Sequence, residues 1–214
     1  MPKGRPTAPR GEAKRDLLLD AAERVMIEKG YAGVTSRSVG LAAGAPAPLV
    51  HYYFPSLDDL FVALLQRGVT RSNERFREAM ASPDPLRAVW EMSLDPRGTA
   101  FLMEITALSN HREAVREALV EISSEFHTMQ VAGFAELFER LGVDTERFPP
   151  ELAVIAIGGI SRMVVRERAM GTTVGQDVAL QAIDKFIATL SQAAPEATSA
   201  TAARASRHGR KQRA

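Results

Sequence analysis

The chain has no cysteine among its 214 residues, which excludes disulfides, thiolate metal sites and cysteine nucleophiles. No apolar run reaches the roughly 18 to 20 residues of a membrane span. The basic N-terminus is not followed by the apolar segment of a secretory signal, so a cytoplasmic protein with no membrane contact is expected. Gly-x-Ser-x-Gly, His-Glu-x-x-His and P-loop patterns are all missing, and with them the usual handles of hydrolase, metalloprotease and nucleotide chemistry. His111 and His127 have Glu104 and Glu125 nearby in sequence, but this spacing fits no tight zinc pattern. No enzyme, no metal and no cofactor is expected. Alternating strand patterns are nearly absent and no internal repeat is visible.

What is present is a globular composition, 45% hydrophobic and 25% charged, with a net charge of only +1. That small sum conceals an asymmetry. Residues 1–50 hold eight Lys/Arg against five Asp/Glu, and residues 195–214 hold five against Glu196 alone, so the stretch between is negative. A positive front end on a negative body suits a module that meets phosphate with one end.

The periodicity predicts an all-α protein. Residues 1–11, rich in Pro, Gly and basic groups, read as an arm. Residues 12–29 read as a helix, with Leu17, Leu18, Ala21, Ala22, Val25 and Met26 at helical spacing and Gly30 ending the run. Thr35 is a good N-cap for a second, short helix. A third short helix lies between Gly44 and Pro55, and Ser56 caps a fourth, with Asp58 and Asp59 in its first turn. Further helices are expected near 57–80, 85–94, 97–109, 111–141, 150–169 and 176–191. After Gln192 the composition collapses to Ala, Ser, Thr and Arg, and a disordered basic tail over 193–214 is expected.

Two short helices joined by a Gly-containing turn, over residues 35–53, form a helix-turn-helix pattern. Val39, Ala42 and Ala45 can pack the pair together. Val50 and Phe54, four apart, face one core, leaving Ala47, Pro48, Leu49, His51 and Tyr52 on the open side. The N-terminal end of the second helix of such a pair enters the major groove. Its side chains meet base edges, and Thr, Arg and Tyr groups at the periphery hold phosphates.

The stretch Thr35 to Leu60 resembles the N-terminal signature of the TetR family of transcriptional regulators at Thr35, Val39, Ala43, Gly44, Val50, Tyr53, Phe54, Ser56 and Leu60. The approach Gly30-Tyr31-Ala32-Gly33-Val34 also matches in spacing. Four departures stand out. Pro46 replaces a capping Ser or Thr, Pro48 a Gly, His51 a Tyr, and Leu57 a Lys that in the family contacts a phosphate. The prolines are tolerated in a first turn, whose N–H groups have no internal acceptor. They still remove two backbone donors, so apolar contact with thymine methyl groups is favoured there. The resemblance and the pattern together assign DNA contacts to Thr35, Ser36, Arg37, Ala47, Pro48, Leu49, His51, Tyr52 and Tyr53. Lys3-Gly4-Arg5-Pro6 resembles the Gly-Arg-Pro core of an AT-hook, which adds Arg5 as a minor-groove candidate; a merely solvated arm is the other reading.

The resemblance implies a three-helix DNA-binding domain (12–56) followed by a helical effector-binding and dimerisation domain (57–192). The expected partners are double-stranded operator DNA bound as a homodimer, and a small, mainly hydrophobic effector that releases it. Helices near 150–169 and 176–191 are the dimer candidates. The first is apolar nearly all round, as in a helix buried on both sides, and an intramolecular core is the other reading. Candidate effector contacts are Trp90, Phe101, Met103, Leu108, Phe126, Met129 and Phe134, with Glu104, His111, His127, Gln130 and Arg162 as polar residues that could orient it. A ligand-independent architectural or nonspecific DNA binder, and an activator, stay open as alternatives.

Overall fold

The structure, a computed structural model, describes residues 9–190. The arm around Arg5 and the basic tail over 193–214 lie outside the described residues. The elements are α1 (Pro9–Lys29), a 3-10 turn (Tyr31–Gly33), α2 (Ser36–Ala42), α3 (Ala47–Tyr53), α4 (Leu57–Met80), α5 (Pro85–Ser93), α6 (Pro96–Ser109), α7 (Glu113–Leu141) and α8 (Pro150–Ala169). A further helix, α9, covers 176–190. The described residues contain no strand, and the predicted all-α class holds.

Local chemistry explains the boundaries. Helices α1, α5, α6 and α8 each open on a proline, whose fixed φ suits a first helical position where no N–H is needed. For α1 this moves the start to Pro9, into the stretch that composition alone reads as arm. Gly30 ends α1 with φ 72°, a conformation that costs other residues strain. Ser56 and Asp59 cap α4 reciprocally: the Asp59 N–H donates to Ser56 Oγ at 3.1 Å, and the Ser56 N–H donates to Asp59 Oδ2 at 2.9 Å.

The chain divides into two compact units: residues up to Ser72 with Pro96–Glu125, and Asn73–Asp95 with the residues from Phe126 onward. The first is built around one stripe of α1 (Leu18, Leu19, Ala22, Met26), the inner residues of the short helices (Val39, Val50, Phe54), and Leu60, Phe61 and Leu64 of α4. Ile105 and Leu108 of α6 and Val115 of α7 close that core.

The second unit has its own core of Phe76, Trp90, Phe134, Leu137, Phe138, Val154 and Ile187. Its aromatic rings form a run, Phe76 to Phe134 at 6.0 Å and Phe134 to Phe138 at 5.8 Å. Here α8 differs from the sequence expectation of burial on both sides. Val154, Ser161, Val164 and Val165 are buried, while Leu152, Ile155, Ile160 and Met163 remain 40–67% exposed. A Cβ added at Gly159 would meet nothing within 4 Å, and one at Gly158 would lie 2.9 Å from the Arg162 guanidinium. Within one chain α8 therefore has packing neighbours along one side only.

Phe134 is 1% exposed at the centre of the second core. Phe134→Ala is expected to lower unfolding stability by about 3–5 kcal/mol through lost burial plus the cavity left behind, read as a reduced urea midpoint.

Candidate nucleic-acid interface

The site starts with the turn between α2 and α3. Gly44 takes φ 62°. The Ala45 N–H donates to the Gly40 carbonyl at 2.8 Å and the Gly44 N–H to the Leu41 carbonyl at 3.2 Å, the paired bonds of a Schellman cap. Gly40 is buried, and a Cβ there would lie 2.7 Å from the Ala45 carbonyl oxygen and 3.3 Å from the Ala47 nitrogen. The two helices thus meet backbone against backbone at this point.

Sequence spacing assigns Val39, Ala42 and Ala45 to this contact. Val39 is buried and Ala45 packs against the core, but Ala42 is exposed and Ala43 packs in its place. Val39 and Ala43 are four apart and share a helical face, whereas Ala42 sits at its edge. The Ala42 carbonyl instead accepts from Arg24 Nη2 of α1 at 3.0 Å. At the other end of α2, the Thr35 side chain accepts from the Ser38 N–H, and the Ser38 side chain accepts from the Thr35 N–H in return. This reciprocal cap is the physical content of the predicted N-cap.

α3 runs over seven residues, with Pro46 as an N-cap that makes no side-chain bond. The Leu49 N–H donates to the Pro46 carbonyl at 2.9 Å, and Pro48 has no N–H to give. The start of α3 therefore offers few amide donors. Val50 and Phe54 are buried, as their spacing predicts, and the Arg15 guanidinium lies 5.3 Å over the Phe54 ring. Pro48, His51 and Tyr52 are exposed, while Ala47 and Leu49 are half-buried. Tyr53 is different. It is half-buried, packs against the core and meets Tyr52 edge-on at 5.2 Å, so its ring helps to anchor α3. On α2, Thr35 and Arg37 are exposed and Ser36 is half-buried.

Sequence reasoning passed over three residues that shape this surface. Arg15 and Arg24 are ordinary charges of α1 until the fold brings them to the end of α3 and the end of α2. Leu41 is 83% exposed on α2, although its position two residues after Val39 on a helix already places it away from the core.

The candidate effector contacts fall into both units. Trp90 and Phe134 are buried in the second core, and Phe126 and Met129 pack against it. Gln130 is half-buried, and Arg162 is exposed beside Gly158. Leu108 is buried in the first core, Phe101 packs against it, and Met103 is 42% exposed. Glu104, expected to orient an effector, has its Oε2 on the Tyr31 backbone N–H at 2.7 Å. Two clefts of about 570 Å³ are present, one lined by Tyr31, Thr35, Asp58, Leu108, His111 and Arg112 among others, the second by Ala135, Glu139, Val143 and Pro150 among others. Of the candidate effector residues, Leu108 and His111 line the first cleft and none lines the second. No helix of the described residues is long and apolar enough to cross a membrane.

Comparison with known proteins agrees with the geometry. Residues 18–64 match the family described as bacterial regulatory proteins, tetR family. The HTH-type transcriptional regulator EthR of Mycolicibacterium smegmatis is 30% identical over 91 residues, covering 41% of this chain and 42% of that protein. EthR of Mycobacterium tuberculosis is 25% identical over 150 residues, covering 69% and 68%. The matched stretch thus spans less than half the length of the first relative. Among solved structures, a transcriptional regulator from Rhodococcus sp. Rha1 superimposes with a TM-score of 0.63 at 21% identity, covering 83% of this chain and 96% of that one.

Gly40 gives a direct test of the interface geometry. Alanine favours an isolated helix by about 1 kcal/mol over glycine, but here its methyl would press on the backbone of the turn. Gly40→Ala is expected to keep the helical circular dichroism and to weaken duplex DNA binding by about tenfold, ~1.4 kcal/mol, measured by fluorescence anisotropy.

Proposed function

We propose that this chain, whose residues 18–64 match the family described as bacterial regulatory proteins, tetR family, is a repressor that grips a palindromic operator as a homodimer and lets go when a small hydrophobic effector binds. It is a transcriptional regulator with a DNA-binding helix-turn-helix. The observation that carries the DNA reading is the division of α3: Val50 and Phe54 hold it in the core, while Pro48, His51 and Tyr52 face outward. Thr35, Ser36 and Arg37, at the capped start of α2, supply phosphate contacts. Ala47, Pro48 and Leu49 offer base edges an apolar surface suited to thymine methyl groups, and His51 and Tyr52 carry the polar readout. Tyr53 contributes by fixing the helix, and Arg5, outside the described residues, stays a minor-groove candidate beside the reading of a solvated arm.

The dimer reading rests on α8 and α9. Leu152, Ile155, Gly159 and Met163 recur at helical spacing on an uncovered face of α8, and Val178 and Phe186 of α9 are 73% and 50% exposed. An apolar stripe of this kind is what a two-fold helical interface buries. For the effector, the Trp90, Phe126, Met129 and Phe134 cluster is the apolar part of the binding region. Asn73, one turn before the buried Phe76, has a buried Oδ1 with no hydrogen-bond partner. An apolar effector carrying one donor would satisfy it, with Gln130 and Arg162 nearer the surface. Phe101, Met103, Glu104 and Leu108 lie in the first unit and take no direct part. The effector reading is abandoned if small apolar molecules that bind the chain leave operator affinity unchanged.

A footprint on DNA selected by the protein from a random duplex pool tests the core of this reading. Two protected half-sites about 34 Å apart, one helical turn, are expected; protection without a defined boundary would point instead to an architectural binder. Arg37→Ala should weaken binding evenly across sequences and reduce the slope of log K against log salt by about 0.9, the value of one phosphate contact. Ile155→Glu combined with Met163→Glu should give a monomer in sedimentation and lose the paired footprint, while a dimer that persists would move the interface elsewhere.

A further inference from the structure

α6 is fastened to the helices of the DNA-reading unit along its whole length. In its first turn, Arg97 Nε and Nη2 each donate to Glu23 Oε1 of α1 at 3.2 Å. One turn on, the Phe101 ring lies so close to Gly68 of α4 that a Cβ there would come within 2.9 Å of it. Glu104 then accepts the Tyr31 backbone N–H at 2.7 Å. Past the end of α6, the His111 ring stacks on the Tyr31 ring with centroids 6.2 Å apart, and Arg112 donates to Asp58 of α4 at 2.6 Å.

Among these contacts Glu104 has a special place, because it holds backbone. Tyr31 opens the 3-10 turn that leads from α1 to α2. Gly30, at φ 72°, reverses the chain just before it, and a Cβ on Gly30 would lie 3.4 Å from Glu104 Oε2. From that turn hydrogen bonds run on into α2. The Val34 N–H donates to the Tyr31 carbonyl at 3.1 Å, and Ser38 Oγ donates to the Gly33 carbonyl at 2.8 Å. Ser38 Oγ also accepts the Thr35 N–H at 2.9 Å. The chain of bonds from Glu104 thus ends at the first turn of α2, which carries Thr35, Ser36 and Arg37.

We infer that Glu104 is a positioning residue of the DNA-reading surface, its carboxylate fixing the 3-10 turn and hence the start of α2 against phosphate. Hydrogen bonds to an ionised acceptor are shorter and stronger than neutral ones, which suits a single contact that must set the pose of a loop. This inference rests on the reading of Thr35, Ser36 and Arg37 as DNA contacts. Arg37→Ala, measured alongside, tests that reading separately.

The experiment uses the full chain and the duplex that wild type selects from a random pool, with affinity read across a salt series. Glu104→Ala is expected to weaken binding about tenfold, to lower the salt slope by the value of about one phosphate contact, and to speed hydrogen exchange of the Tyr31 amide. Glu104→Gln, which keeps an acceptor but no charge, should fall between. Ile105→Val, a destabilised control one residue away in the same helix, should bind as wild type once affinities are corrected for folded fraction. Equal affinity and slope for Glu104→Ala and Ile105→Val at matched folded fraction would overturn the inference, as would a folded Glu104→Ala that binds like wild type. If Glu104→Ala does not fold, Glu104→Gln decides: a lowered slope supports the role, and an unchanged slope removes it. A loss for Glu104→Ala together with no effect of Arg37→Ala would keep Glu104 in place and discard Arg37 as its target.

Discussion

A helix of seven residues cannot hold its own shape in water, because nucleation costs more than so few hydrogen bonds return. α3 is such a helix, and its N-cap adds no side-chain bond. Its existence therefore depends on Val50 and Phe54 being drawn into the core beside α1 and α4. That burial also orients the helix. With two residues four apart locked inward, Pro48, His51 and Tyr52 are left facing out. Stability of α3 and exposure of its outer face are two results of one packing event, and the Arg15 guanidinium over the Phe54 ring adds to the same anchor.

The turn before α3 meets a second demand. A proline-bearing first turn leaves few amides to satisfy and few to offer, so the α2–α3 connection cannot rely on a side-chain cap. It is made by backbone instead: Gly44 supplies the left-handed residue, the two Schellman bonds tie Gly44 and Ala45 back to α2, and Gly40 lets the Ala45 carbonyl approach closely. Gly40 lowers the helix propensity of α2, but the reciprocal cap of Thr35 and Ser38 works in the other direction at its start.

Around this element the first unit recruits more than the three helices the sequence signature covers. α6 and the beginning of α7 contribute Ile105, Leu108 and Val115 to the same core, and ion pairs from Arg97 and Arg112 reach Glu23 and Asp58. Exposed pairs of this kind are worth little individually. Their directional role is larger, since they set where α6 lies against α1 and α4. The second unit has a separate aromatic core, and its α8 keeps an apolar stripe uncovered within the chain.

The sequence by itself determined the order and approximate positions of the helices, the caps at Thr35 and Ser56, the inward facing of Val50 and Phe54, and the family resemblance of residues 18–64. These follow from local rules, spacing along one helix and the chemistry of residues three or four apart, which a linear text carries in full. Only the tertiary structure decided which large apolar residues share a core: Phe101 and Leu108 part from Trp90 and Phe134 because α6 packs on one unit and α5 on the other. It also decided that Tyr53 packs inward beside its exposed neighbour Tyr52, that Ala43 replaces Ala42 in the helix pair, and that the Glu104 carboxylate sits on the backbone of a turn 73 residues away. Contacts of that separation depend on how whole helices pack, and helix packing depends on the sum of many side chains rather than on any motif.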